Sequence, residues 1–172
     1  MLRLIVMLLM CGSGSTRYRV KIEDPAIKHY YLSFALDVAK TLSSSKGWGR
    51  EVSFCPLGEP QFDIVLALPD TVDEMCYPLN TGGKVSCANR KVVVINFLRW
   101  TEGDSSWSSL DDYKTYVINH EVGHALGMFH REECEDGKAP LMMQQSQRTL
   151  KCKTNPYPTD KEMRSFKKWR AN

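Results

Sequence analysis

Three of the chain's four histidines fall in one stretch, HEVGHALGMFH, residues 120–130. His120 and His124 are four apart, so on a helix they share a face, about 6 Å apart along the axis, and can aim both imidazoles at one point. Zinc takes imidazole nitrogen at about 2.0–2.1 Å, which makes such a pair a bidentate clamp. Glu121 lies about 100° round the helix from His120. It does not aim at the metal, but its longer side chain can reach a water on an open coordination position and take its proton as a general base. His130 cannot join on a continuing helix, because six residues carry it about 9 Å further along the axis and off the metal-facing side. Gly127 stands where the helix has to break, and glycine enters the left-handed region at no steric cost and commonly ends helices. With the chain turned back there, His130 makes a third protein ligand and leaves a fourth position for water, as catalytic zinc requires and structural zinc does not. Five such fixed positions coincide in a chain this long on the order of once in 100,000 by chance. Histidines merely satisfied on a surface helix are therefore the weaker explanation.

With these residues the chain resembles the metzincin zinc metallopeptidases, whose motif is H-E-x-x-H-x-x-G-x-x-H followed by a methionine turn. The matching positions are His120, Glu121, His124, Gly127 and His130, and the turn resembles APLMMQQ, with Met142 or Met143 beneath the metal. More closely the chain resembles a zincin-like family of secreted actinobacterial proteins, from about Tyr18 to Pro158. The stretches that carry this are GWG, TVDEMCYPLNTGGKVSC, VVINFLRW, YVINHEVGHALG, APLMMQQ and NPYP. The resemblance implies an α+β, zincin-like (metzincin-type) single domain, with a mixed sheet, an active-site helix across the middle and a small irregular C-terminal part. It implies one Zn2+ ion, a substrate peptide extended along a sheet-edge strand, and hydrolysis of its bond by water that Glu121 activates. Some metzincins add a tyrosine after the methionine turn; Tyr157, in the Pro-flanked NPYP, reads as packing instead.

These residues need elements to position them. YRVKI (18–22) alternates like a strand. Asp24 suits an N-cap and Pro25 a first helical turn, and Ile27, Tyr31, Phe34, Ala35, Val38 and Leu42 recur at helical spacing, which predicts a helix of about four turns. His29, the fourth histidine, lies in it and reads as a surface or packing residue. EVSF (51–54), FDIVLAL (62–68) and KVVVINF (91–97) read as strands, the two longer ones buried and central. From about Leu110 the pattern turns helical, with Asp111 or Asp112 as cap. Thr159 and Glu162 form a capping-box pair ahead of a narrow stripe of Met163, Phe166 and Trp169 or Arg170. The order of elements is that of an α+β fold.

At 172 residues, 42% hydrophobic and 25% charged, the chain has the size and composition of one ordinary globular domain. Its net charge of +3 is spread among acidic residues, unlike the concentrated stripe of a nucleic-acid binder. Only the C-terminal segment is strongly basic, and it reads as a solvent-facing helix rather than a contact for membranes or anionic polymers. The start, MLRLIVMLLMCGSGS, has the layout of a secretory signal peptide, residues 1–16, leaving 17–172 as the metallopeptidase domain. The alternative is an apolar tail or first strand; the run is too short to span a bilayer. Secretion makes disulfides the default for the six cysteines. Loop reasoning pairs Cys76 with Cys87 and Cys134 with Cys152, which leaves Cys55 over as a candidate buried, reduced thiol and the pairing of Cys11 open. These residues point to a monomeric, secreted zinc metalloendopeptidase acting on peptides or proteins, with no nucleic-acid partner and no stable membrane insertion. The alternatives are a non-catalytic zinc-stabilised binding protein on the same scaffold, or a hydrolase of cell-wall peptides.

Overall fold

In strand β3 (Phe62–Ala67) Ile64 and Leu66 join one apolar cluster while Val65 and Ala67 join another, and all four are buried. β5 (Val92–Asn96) repeats the arrangement, with Val93 and Ile95 in the first cluster and Val94 in the second. Strands buried on both faces must be continuously apolar, so these two runs lack the alternation of a half-exposed strand. The computed structural model, which describes residues 11–146 and 151–171, places them at the centre of one five-stranded sheet. With β1 (Thr16–Ile22), β2 (Phe54–Cys55) and β4 (Cys87–Ala88) the order is β2-β1-β3-β5-β4. All neighbours are parallel except β4, which runs antiparallel to β5 at one edge. The sheet is thus mixed, and the fold α+β.

Five α-helices complete the described residues: α1 (Tyr31–Ser43), α2 (Pro69–Met75), α3 (Phe97–Glu102), α4 (Leu110–Ala125) and α5 (Asp160–Arg170). On α1, Phe34, Val38 and Leu42 recur every four residues and are almost wholly buried against the sheet and α4. Full burial of each contributes about 1.5–3 kcal/mol, more than the helix propensity of any residue in α1. Asp24 does not cap this helix. A 3-10 turn, Pro25–Tyr30, precedes α1, and the Asp24 carboxylate instead accepts from Leu68 N–H and Thr71 Oγ1–H, both at 2.8 Å, at the start of α2. The strand expected over EVSF is reduced to Phe54–Cys55, because Glu51 and Val52 are bound back to Trp48 in a turn. The cap of α4 is Ser109, whose Oγ accepts from Asp112 N–H, two residues ahead of the first of the aspartates expected to serve. The capping box of α5 forms as its sequence implies, with Met163 and Phe166 buried and Trp169 at the rim.

Cys76–Cys87 and Cys134–Cys152 are bonded as expected. Cys55 is buried but not reduced: it is bonded to Cys11, with Cα atoms 5.7 Å apart. The pairing of β1 with β2 brings the start of the described chain alongside Cys55, which loop length alone does not reveal. The apolar run Leu4–Met10 lies outside the described residues, and no described helix is long and apolar enough to cross a membrane.

Candidate metal centre

Helix α4 crosses the first apolar cluster, and everything from Tyr113 to Gly123 except Lys114 and Thr115 is buried. It is pinned just before the histidines. Trp48 Nε1–H donates to the Asn119 carbonyl at 2.8 Å, and Asn119 Nδ2–H donates to the Pro156 carbonyl at 3.0 Å. His120 and His124 project from this fixed stretch. The helix ends at Ala125, and Gly127 N–H and Met128 N–H bind the carbonyls of His124 and Gly123, each at 2.9 Å. These are the two bonds of a Schellman ending, which needs a left-handed residue at Gly127, and its φ is 89°. A Cβ there would also lie 2.8 Å from the Trp169 ring. The reversal brings His130 back, as its spacing requires.

The Nε2 atoms of His120 and His130 are 3.3 Å apart, and those of His124 and His130 are 3.1 Å apart. Two ligands at 2.0–2.1 Å from one tetrahedral ion lie about 3.3–3.4 Å apart, so the three rings fit a single zinc. Their second nitrogens decide what fills the space. His120 Nδ1 lies 2.8 Å from the Leu141 carbonyl and His124 Nδ1 2.9 Å from the Met128 carbonyl. A carbonyl can only accept, so both Nδ1 atoms carry the hydrogen and both Nε2 atoms present lone pairs. Two Nε2 lone pairs aimed at the His130 ring at 3.1–3.3 Å call for a shared electrophile, a hydrogen donated by His130 or a cation held by all three. Burial pushes His120 down to about 3 and also lowers His124 and His130, which keeps the three rings neutral and able to ligate. The residues present fit a divalent metal.

Glu121 is buried beside the histidines, and burial pushes its carboxyl up to about 8. It lines a cleft of about 440 Å³ together with the three histidines, Tyr113 and Val117 on the helix side and Leu79, Val85 and Ala88 on the opposite wall. Leu79 and Val85 belong to the segment closed by Cys76–Cys87, with Ala88 just beyond it, and Asp73 ties the segment down further by accepting from Thr81 Oγ1–H and Gly83 N–H. Burial also pushes Tyr113 up to about 12 and raises Tyr116, leaving both phenols protonated at neutral pH.

The methionine-bearing turn lies beneath the helix. A Cβ at Gly123 would run into Met142 Sδ and come within 3.1 Å of the Trp48 ring, so Met142 fills the space under the His120–His124 turn. Met143 instead lies with its sulfur 3.9 Å from Cys152 Sγ. Tyr116 O–H donates to the Met143 carbonyl and accepts from Gln145 N–H, both at 2.9 Å, and Glu162 accepts from Leu141 and Met142 N–H. The carbonyls of Leu141 and Met128, and the need for glycine at 123, are absent from the sequence reasoning. Backbone groups have no residue-type signature, and Gly123 shows its purpose only once Met142 is placed. Tyr157 takes no place among the residues of the cleft; its ring lies under Lys46 Nζ at 5.8 Å.

A sequence-family profile described as "Protein of unknown function (DUF3152)" matches residues 8–167. No curated protein matches the chain in sequence. Among solved structures, the crystal structure of archaemetzincin from Methanopyrus kandleri is similar, with a TM-score of 0.58 and 16% identity, over 95% of this chain and 100% of that one. The two share the zincin-like, metzincin-type fold.

Proposed function

The chain belongs to the family of that profile, and we propose that it is a secreted, monomeric zinc-dependent metalloendopeptidase acting on peptide or protein substrates. The observation that carries this is the convergence of three histidine rings, with His130 Nε2 3.3 Å from that of His120 and 3.1 Å from that of His124, beside the buried Glu121 in a cleft open to solvent. His120, His124 and His130 would hold the ion, and the fold shared with archaemetzincin is consistent with zinc. When bound, zinc supplies the Lewis acidity that polarises a scissile carbonyl and makes water acidic enough to attack it at neutral pH.

The remaining work falls to the chain's own residues. Glu121, buried in the cleft beside the metal-facing histidines, takes the proton from the attacking water and passes it to the departing amine. The hydrogen bonds of His120 and His124 to Leu141 and Met128 hold the imidazoles in the tautomer that binds metal. β4 closes one edge of the sheet, and Cys87 and Ala88 line the cleft. A substrate can add to that edge as a further strand, its side chains meeting Leu79 and Val85. Three disulfides among the described residues suit an oxidising compartment outside the cytoplasm.

Glu121→Gln tests the assignment. It should retain zinc and lower the cleavage rate of a mixed peptide library by at least about 100- to 10,000-fold, read by mass spectrometry. A variant that cleaves as fast as the wild type contradicts the role of Glu121. A wild type that binds zinc stoichiometrically yet cleaves nothing favours a zinc-stabilised binding protein.

A further inference from the structure

Glu162, wholly buried in the first turn of α5, accepts three backbone N–H groups: Met142 at 2.8 Å on Oε1, and Leu141 at 2.8 Å and Thr159 at 2.9 Å on Oε2. Its capping box accounts only for Thr159. The other two donors come from the methionine-bearing turn, about twenty residues earlier in the chain. The Met142 N–H and the Leu141 carbonyl belong to the same peptide group, and that carbonyl accepts the Nδ1–H of His120 at 2.8 Å. One amide therefore stands in series between the Glu162 carboxylate and a metal-facing imidazole. Burial raises this carboxyl and the bonds from Met142, Thr159 and Leu141 oppose that; three N–H donors suit an ionised carboxylate, which only accepts. Its charge on the N–H end polarises the amide and makes the carbonyl a stronger acceptor. A stronger acceptor holds His120 in the Nδ1–H tautomer, fixes the ring's angle and makes Nε2 more basic.

Resting on the zinc site proposed above, we infer that Glu162 is a positioning residue of the metal centre, acting on His120 through the Leu141–Met142 peptide group. It does by relay what a carboxylate in direct contact with a metal-bound histidine does in other metalloproteins. The arrangement also gives α5 a function beyond packing, because the helix fixes the carboxylate that fixes the ligand.

The test compares the full, disulfide-bonded wild type with Glu162→Gln and Thr159→Ala. The first keeps the side-chain volume but turns one acceptor oxygen into an N–H2 donor. The second removes the side-chain cap of α5 and keeps the bonds from Glu162 to Leu141 and Met142. Zinc affinity is measured by competition with a chromophoric chelator, on protein shown to be folded by near-UV circular dichroism. The His120 tautomer is read from ring 15N shifts in the metal-free wild type and Glu162→Gln. Glu162→Gln should bind zinc about 10- to 100-fold more weakly, while Thr159→Ala stays within about twofold of wild type even if its Tm falls. The metal-free wild type should hold His120 as the Nδ1–H tautomer. Unchanged zinc affinity in Glu162→Gln, or an Nε2–H tautomer in the wild type, overturns the proposal. A wild type that binds no zinc overturns the zinc site instead, and the His120 tautomer compared between metal-free wild type and Glu162→Gln then decides the role of Glu162, an unchanged tautomer population overturning it. If Glu162→Gln does not fold, Glu162→Asp, which keeps the charge but draws it back from Leu141 and Met142, takes its place under the same criteria.

Discussion

His120, His124 and His130 differ in exposure from buried to open, and this gradient lets the site serve as both anchor and mouth. His120 is locked between the Leu141 carbonyl and the Tyr116 ring, whose centroid lies 5.3 Å from its own, while His130 faces solvent beside the cleft. Gly127 makes the two ends compatible. A Gly127→Ala substitution puts a Cβ at a φ of 89° and 2.8 Å from the Trp169 ring. It should cost about 1–3 kcal/mol and weaken zinc binding by displacing His130; urea unfolding and chelator competition check the two effects, and unchanged values in both contradict the role given to this turn. At this scale the sequence was most informative. The ligands, Glu121 and Gly127 sit within eleven residues, and their helical geometry can be worked out from spacing alone. What holds the ligands was hidden, because Leu141 and Met128 act through backbone carbonyls and Glu162 lies far along the chain.

The elements divide into those that build the platform and those that shape the cleft. β3 and β5 were legible because burial on both faces demands an apolar run. α2, α3 and the two-residue β4 were not, being too short for any period to show. Asp24 looked like a helix cap and serves a different helix, because a cap's acceptor goes to whichever N–H groups tertiary structure brings near. One pairing between elements has a pH signature. Asp63 on β3 meets Arg19 at 2.8 Å and Lys21 at 2.6 Å on β1. Burial pushes its carboxyl up, but the bonds from Arg19 and Lys21 more than offset this and hold it below the ordinary 3.8. A carboxyl lowered on folding stabilises the fold when ionised, and that contribution is lost as pH falls through the folded value. Wild type should therefore exceed Asp63→Asn in Tm at neutral pH, with the gap closing below about pH 3.8. Thermal unfolding of both across that range checks it, and a gap that persists or widens in acid contradicts the pairing.

Across the whole molecule, one sheet and two helices hold a site whose lower half is an irregular segment fastened by covalent and polar links. Cys134–Cys152 closes part of that segment, helped by the bridges of Lys138 with Glu135 and Lys153. Breaking the bond, as Cys134→Ser with Cys152→Ser, frees a loop of 18 residues' separation and should cost about 3 kcal/mol in denaturant unfolding. A loss under about 1 kcal/mol would mean that the segment is held without it. The two short-range disulfides were readable from the loops they bracket. Cys11–Cys55 was not, because its 44-residue separation closes only through the β1–β2 pairing. The three-histidine metal site is tested most directly by the zinc content of the purified chain beside that of His130→Ala, measured by atomic emission after extensive dialysis. Wild type should carry about one zinc per chain, with a large loss in the variant. Undiminished zinc in His130→Ala, or none in the wild type, would contradict the site.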